Sequence, residues 1–305
     1  MSINDVNMSF KIQDVEFKNP VTTASGTFGS GREYADFVDL NKLGSITVKG
    51  VSNKAWAGND TPRLAEVYGG MLNSVGLQNP GVDWFIKNDI PFLRQFDTKI
   101  IVNVCGHAIH EYVEVVEALR DADVDALELN ISCPNLSEGG LSFGTDPKMV
   151  EEVVSQVKKV AKQPLIVKLT PNVTDITEIA KATESAGADA ISLINTITGM
   201  KIDINKRKPI LARKMGGMSG PAIKPIAVRM VYQVSKVVKV PIIGMGGICN
   251  AEDALEFIMA GASGIAVGTA NFINPFATME VLEGIEEYLL KNNIKDIKEI
   301  RGIIE

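Results

Sequence analysis

The sequence predicts an α/β protein, a (β/α)8 TIM barrel, and three observations predict it. Eight short β-rich runs recur along the chain, most of them separated by stretches of helical periodicity. Most runs are apolar on both faces, as in Leu165-Ile166-Val167, which fits a parallel sheet covered on both sides. The count reaches eight and no GxGxxG follows the first run, which favours a closed barrel over an open doubly wound sheet.

In chain order the expected strands are Val21–Ala24, Ile46–Lys49, Ile100–Val104, Ala126–Asn130, Leu165–Leu169, Ala190–Ile194, Pro241–Met245 and Gly264–Val267. The expected helices include Ile109–Ala122, Pro147–Ala161, Asp175–Ala186, Ile223–Val238 and Ala251–Ala260. Phe10–Phe17 reads as an N-terminal β-hairpin that plugs the barrel bottom. Pro275–Leu290 reads as the last barrel helix and Ile294–Ile300 as a short tail helix. No linker or charge block interrupts residues 1–305, so the expectation is a single domain. Gly50–Lys99, Ile131–Pro164 and Asn195–Lys239 are too long for simple βα loops and are expected to roof the C-terminal face.

The chain has 305 residues, 45% hydrophobic and 22% charged, which supports a large core and excludes disorder. Its 31 basic and 37 acidic residues argue against a nucleic-acid partner. No apolar run approaches the roughly 18 residues of a membrane helix. Met1–Phe10 lacks the pattern of a signal peptide, so a cytoplasmic location is expected. Three widely spaced cysteines, Cys105, Cys133 and Cys249, form neither a disulfide framework nor a metal or iron–sulfur ligand set. Chemistry therefore falls to Lys, Cys, Asn and backbone groups, or to a bound cofactor.

The strand ends carry that chemistry. At or just past them stand Ser25-Gly26, Lys49-Gly50, Asn103, Asn130, Lys168, Asn195-Thr196, Gly246-Gly247 and Gly268-Thr269, none a large aliphatic. The last two pairs follow strands seven and eight, where barrels of this type bind phosphate on glycine backbone N–H groups. Gly216 to Gly220 is a candidate third wall. Lys168 interrupts an apolar strand, and a buried ammonium needs an anion. It reads as a structural ion pair, a Schiff-base nucleophile or a fixed cation beside a cofactor. Lys49 invites the same argument and can pair with a substrate carboxylate. Cys133 sits among polar neighbours and can act as base or nucleophile. Cys105 and Cys249 read as inert packing, and Glu138–Gly144 as a glycine-rich lid. Asn73, Asn103, Asn130 and Asn195 offer donors and acceptors suited to a pyrimidine-dione or a flavin edge. The basic cluster Lys201, Lys206, Arg207, Lys208, Arg213, Lys214 reads as a solvated loop, and His107 and His110 as surface residues.

At these residues the chain closely resembles the catalytic subunits of the class 1B dihydroorotate dehydrogenase family. The resemblance spans about Phe17 to Glu280. It rests on Ala24 to Gly29, Thr47 to Gly50, Asn73 to Gly81, Asn130 to Asn135, Val167 to Asn172, Ser219 to Pro225 and Gly244 to Ile248. It implies an FMN-containing barrel that oxidises (S)-dihydroorotate to orotate in pyrimidine (UMP) synthesis. Cys133 then matches the base for the C5 proton, with hydride passing from C6 to FMN N5. Lys49, Asn73, Ser74, Val75, Gly76, Leu77, Asn130, Asn195 and Thr196 match substrate contacts. Ser25, Lys49, Gly50, Asn103, Asn130, Lys168, Ile194, Gly220, Gly246, Gly247, Gly268 and Thr269 match FMN contacts, with Lys168 beside N1 and O2. The resemblance also implies a homodimer core and a partner subunit carrying FAD and a [2Fe-2S] cluster. Together they would form a heterotetramer that delivers electrons to NAD+. The alternatives are a class 1A-like enzyme that uses fumarate without a partner, and a Lys168 Schiff-base aldolase.

Overall fold

The computed structural model describes residues 6–132 and 143–305. The chain opens with a hairpin, β1 (Phe10–Ile12) and β2 (Val15–Phe17), followed by β3 (Val21–Thr23) and β4 (Ser45–Thr47). An excursion follows, made of β5 (Leu64–Val67), β6 (Gly70–Asn73) and α1 (Val82–Leu93). Strands and helices then alternate through β7 (Lys99–Val104), α2 (Ile109–Leu119), β8 (Ala126–Asn130), α3 (Pro147–Val160), β9 (Leu165–Lys168), α4 (Ile176–Ser185) and β10 (Ala190–Leu193). A second excursion contains β11 (Ile197–Met200), β12 (Ile202–Asp203), β13 (Lys208–Pro209) and β14 (Met215–Ser219). The chain ends through α5 (Lys224–Ser235), β15 (Ile242–Met245), α6 (Ala251–Met259), β16 (Gly264–Val267), α7 (Ala270–Ile273) and α8 (Ala277–Lys291).

Eight strands form one parallel sheet in the order β3-β16-β15-β10-β9-β8-β7-β4. Its two ends meet without a ladder, through the Thr23 side chain and one backbone bond. Thr23 Oγ1 accepts from Thr47 N at 3.1 Å and donates to Thr47 O at 3.2 Å, and Gly44 N donates to Val21 O at 3.1 Å. The barrel expected from the sequence is therefore closed, with strand limits within about two residues of those read from the pattern.

The helices form where a cap and an apolar stripe coincide. In α3, Asp146 accepts from Lys148 N and Met149 N, Pro147 fits the first turn, and Val150, Val153, Val154 and Val157 are buried along one face. Outward strand residues such as Val102, Leu129, Val167 and Ile191 pack beneath these helices. Inward residues form a second cluster: Ile101, Ala126, Ile166, Ala190, Ile243 and Ala266, closed from below by Phe10, Ile12 and Phe17. The hairpin is thus the plug that its pattern suggests. Phe10 and Phe17 stack at 4.7 Å, and a Cβ on Gly264 would meet Phe10 at 2.9 Å.

Two features differ from expectation. The tail helix shrinks to one 3-10 turn, Ile297–Glu299, held by an Asp296/Glu299 capping box. Beside it Asn7 N donates to Lys295 O, Ile297 N donates to Asn7 O, and Asn7 Nδ2 donates to Asp296 Oδ2. The long connections are also more ordered than loops. The two excursions pair with each other in an antiparallel sheet of order β11-β14-β6-β5, with Gly217 opposite Asn73 and Met218 opposite Leu72. Gly216 to Ser219 is thus a strand, and Gly217 and Ser219 within it line the cavity described below. Its glycines admit close neighbours: a Cβ on Gly216 would lie 2.5 Å from Asn73 O, and one on Gly217 would lie 2.0 Å from Thr196 Oγ1.

Phe17→Ala is expected to lower stability by about 3–5 kcal/mol, since it removes a buried ring from the plug. A urea titration should show a lower midpoint with an unchanged slope; an unshifted midpoint would contradict the packing described.

Candidate functional site

Strand parity builds the site from the floor upward. Each inward position lies two residues beyond the one below it. Above the apolar floor the same strands turn polar: Asn103 on β7, Glu128 on β8, Lys168 on β9 and Ser192 on β10, all buried. The Glu128 carboxylate accepts from Asn103 Nδ2 at 2.6 Å and from Ser192 Oγ at 2.8 Å. Lys168 Nζ lies 3.9 Å from Glu128 Oε2 and donates to Ser25 Oγ at 3.2 Å. The ion-pair and fixed-cation readings of Lys168 both fit this arrangement.

Above this layer a cavity of about 1080 Å³ opens at the C-terminal ends of the strands. It gathers Ser25, Lys49, Gly50, Asn103, Asn130, Lys168, Ile194, Asn195 and Thr196 from the barrel. Asn73, Ser74, Val75, Gly76 and Leu77 join from the first excursion, and Gly220, Gly246, Gly247, Gly268 and Thr269 from the later loops. Every site residue read from the sequence lines this one space except Cys133. Cys133 lies outside the described residues, as does the 138–142 part of the expected lid. Its neighbour Ser132 is in the wall and accepts from Asn195 Nδ2 at 2.9 Å. Phe143 and Gly144 are described: Phe143 packs edge-on against Tyr112, and Gly144 N donates to Ile131 O at 2.8 Å.

The four amides read from the sequence, Asn73, Asn103, Asn130 and Asn195, all line the cavity. Asn195 Nδ2 also reaches Asn130 Oδ1 at 3.2 Å, and Asn73 Nδ2 reaches Gly217 O at 3.3 Å. Asn103 Oδ1 is buried without a partner, a free acceptor in the wall. At the opposite side Gly220, Gly246 and Gly247 all take positive φ. A Cβ on Gly247 would lie 2.9 Å from Gly220 O and 3.0 Å from Lys224 N, so the close approach of these turns requires glycine. Thr269 Oγ1 donates to Ser219 Oγ at 2.8 Å across the same pole. Lys224 is not the cation of this cradle. Hydrogen bonds from its Nζ to Asp253 and Glu256, both 2.6 Å, raise its pKa above the ordinary lysine range.

Sequence reasoning missed several residues. Glu128 carries no motif, because one acidic residue in a strand reads as an exposed position. Asn172 joins the wall and holds Thr198 N at 2.9 Å and Thr196 O at 3.0 Å. His107 is not a plain surface residue: it stacks on Trp56 at 4.2 Å and both line the cavity. His110 is exposed, as read. The basic cluster is exposed too, but Arg213 reaches the cavity wall. Cys105 is fully buried. Burial, and next the Asp253 carboxylate, push the Cys249 thiol up, with Lys224 opposing. Among the described residues no helix is long and apolar enough to cross a membrane.

A family model, "Dihydroorotate dehydrogenase", matches residues 7–289. The chain is 71% identical over 297 residues to the "Dihydroorotate dehydrogenase B (NAD(+)), catalytic subunit" of Alkaliphilus metalliredigens, covering 97% of this chain and 98% of that one. It is 68% identical over 300 residues to the protein of the same name from Lachnoclostridium phytofermentans, covering 98% and 100%. Among solved structures, the DHODH of Eimeria tenella in complex with ferulenol superposes with a TM-score of 0.80 at 21% identity, covering 97% of this chain and 88% of that one, which shows the shared fold. With a barrel of this form and a family match over nearly its whole length, the chain belongs to the dihydroorotate dehydrogenase family.

Proposed function

We propose that the chain oxidises (S)-dihydroorotate to orotate in de novo pyrimidine biosynthesis, with FMN in the barrel mouth. The observation that carries this reading is the convergence of two lysines, four amides and a glycine cradle on one cavity. The name borne by the Alkaliphilus and Lachnoclostridium relatives supports the same substrate.

The described residues fit FMN. The positive-φ glycines at 220, 246 and 247, with Gly268 and Thr269, suit a phosphate. Ser25, Asn103, Asn130 and Lys168 suit a ring with alternating donors and acceptors, and the orphaned Asn103 Oδ1 is an acceptor awaiting a donor. Bound there, FMN supplies the two-electron acceptor for hydride from the substrate's C6. The chain's own groups do the rest. The Cys133 thiolate takes the proton from C5, a step that needs a base beside the substrate. Lys168 holds a cation where negative charge develops. Lys49 offsets the substrate carboxylate, while Asn73, Asn130 and Asn195 fix the pyrimidine ring in register.

The electrons then leave through a partner. The words "catalytic subunit" and "NAD(+)" in the relatives' names support a second subunit. We assign FAD and a [2Fe-2S] cluster to that subunit, around a homodimer of this chain. The purified chain should be yellow with bound flavin. Reconstituted with an FAD and iron–sulfur subunit, it should reduce NAD+ on dihydroorotate. Rapid fumarate turnover by the isolated chain would instead favour the partner-free alternative, and failure to take up FMN would overturn the reading.

Cys133→Ala should retain flavin but lose on the order of 10²–10⁴ in turnover, the usual worth of a general base. The wild-type rate should rise with pH toward the ionisation of a thiol, about 8.5 if unperturbed. A near-normal variant rate or a flat profile would remove Cys133 from the role. Gly247→Val should weaken FMN binding by about tenfold or more, roughly 1.4 kcal/mol, because its side chain collides with Gly220 O and the Lys224 backbone. Fluorescence titration of the apoprotein with FMN reads this directly, and unchanged affinity would dissociate the cradle from the phosphate.

A further inference from the structure

We infer that Glu128 is a positioning residue that sets how strongly Lys168 draws negative charge onto the ring bound above it. The inference rests on the flavin reading of the cavity and adds to it a residue that touches neither flavin nor substrate.

Glu128 is 2% exposed, beneath the cavity floor. Among the described residues, Glu128–Lys168 is the ion pair with both side chains under a tenth exposed, at 3% and 6%. Isolated charges are not buried in a barrel without cause, and here both carboxylate oxygens are engaged. One accepts from Ser192 Oγ; the other accepts from Asn103 Nδ2 and faces Lys168 Nζ. Strand register fixes these neighbours: Asn103 stands beside Glu128, and Ser192 beside Lys168.

Two consequences follow for the cavity. An ionised carboxylate only accepts, so it compels Asn103 to turn its NH2 group inward. The Asn103 carbonyl oxygen is then the atom turned away from Glu128, and it is buried without a partner. Gly50 leaves room for it, since a Cβ there would lie 3.0 Å from that oxygen. Lys168 meanwhile is held between Ser25 and Glu128, and its positive field at the cavity floor is partly offset by the carboxylate behind it. A negative charge near a ring opposes the addition of electrons to it. Removing that charge exposes the full field of Lys168 and makes the bound ring easier to reduce.

The test is the two-electron midpoint potential of FMN bound to the wild type, Glu128→Asp and Glu128→Gln, measured by dye equilibration without dihydroorotate. Glu128→Gln keeps shape but removes charge; Glu128→Asp keeps charge but draws it back by one methylene from Lys168. The expected order is wild type lowest, Asp higher and Gln highest. Should the Gln variant fail to fold, a positive shift in the Asp variant decides alone. Potentials equal to wild type in every folded variant would overturn the inference, because a merely structural counter-ion would alter unfolding temperature and leave the potential in place. A wild type that binds no FMN would overturn the flavin reading and this inference with it, so the two failures are distinguishable.

Discussion

The buried Glu128 carboxylate is the constraint around which the site is arranged. It sits where the barrel changes from an apolar floor to a polar interior, and its three neighbours come from three different strands. A layer of this kind is stable only when each member has a partner, because a half-satisfied network in a low-dielectric interior costs more than an apolar one. Asn103 and Lys168 must therefore satisfy Glu128 on one side while facing the cavity on the other. The side facing the ligand is thereby fixed before any ligand arrives, which is what preorganised electrostatics requires.

The roof obeys a different rule. Its sheet joins β6 and β14, which the chain separates by more than the whole of β7 to β10, and it depends on glycine where backbones approach closely. Asn73 belongs to this sheet, so the amide that faces the ligand from above is positioned by pairing across two excursions. The floor is set by side-chain chemistry inside the strands, and the roof by backbone fit between distant segments.

This division explains what could be read beforehand. The eight strands were legible because both of their faces are buried and their apolar runs are continuous. The plug was legible from alternation in Phe10–Phe17, and the cavity wall from the residues at the strand ends. Glu128 was not, because an acidic residue within Ala126–Asn130 looks the same whether it faces solvent or the interior of a closed ring. The roof sheet was not, because its pairing is non-local and Gly216-Gly217 carries the same signal as a turn. The stack of Trp56 on His107 joins an excursion to the start of α2, and no local pattern announces it.

The bonding of Asn7 to Asp296 and Lys295 has a practical corollary. Asn7, three residues before the hairpin that closes the barrel from below, is bridged to Asp296 in the tail. Neither residue lines the cavity, so a fluorophore placed at Asp296 stands outside its wall.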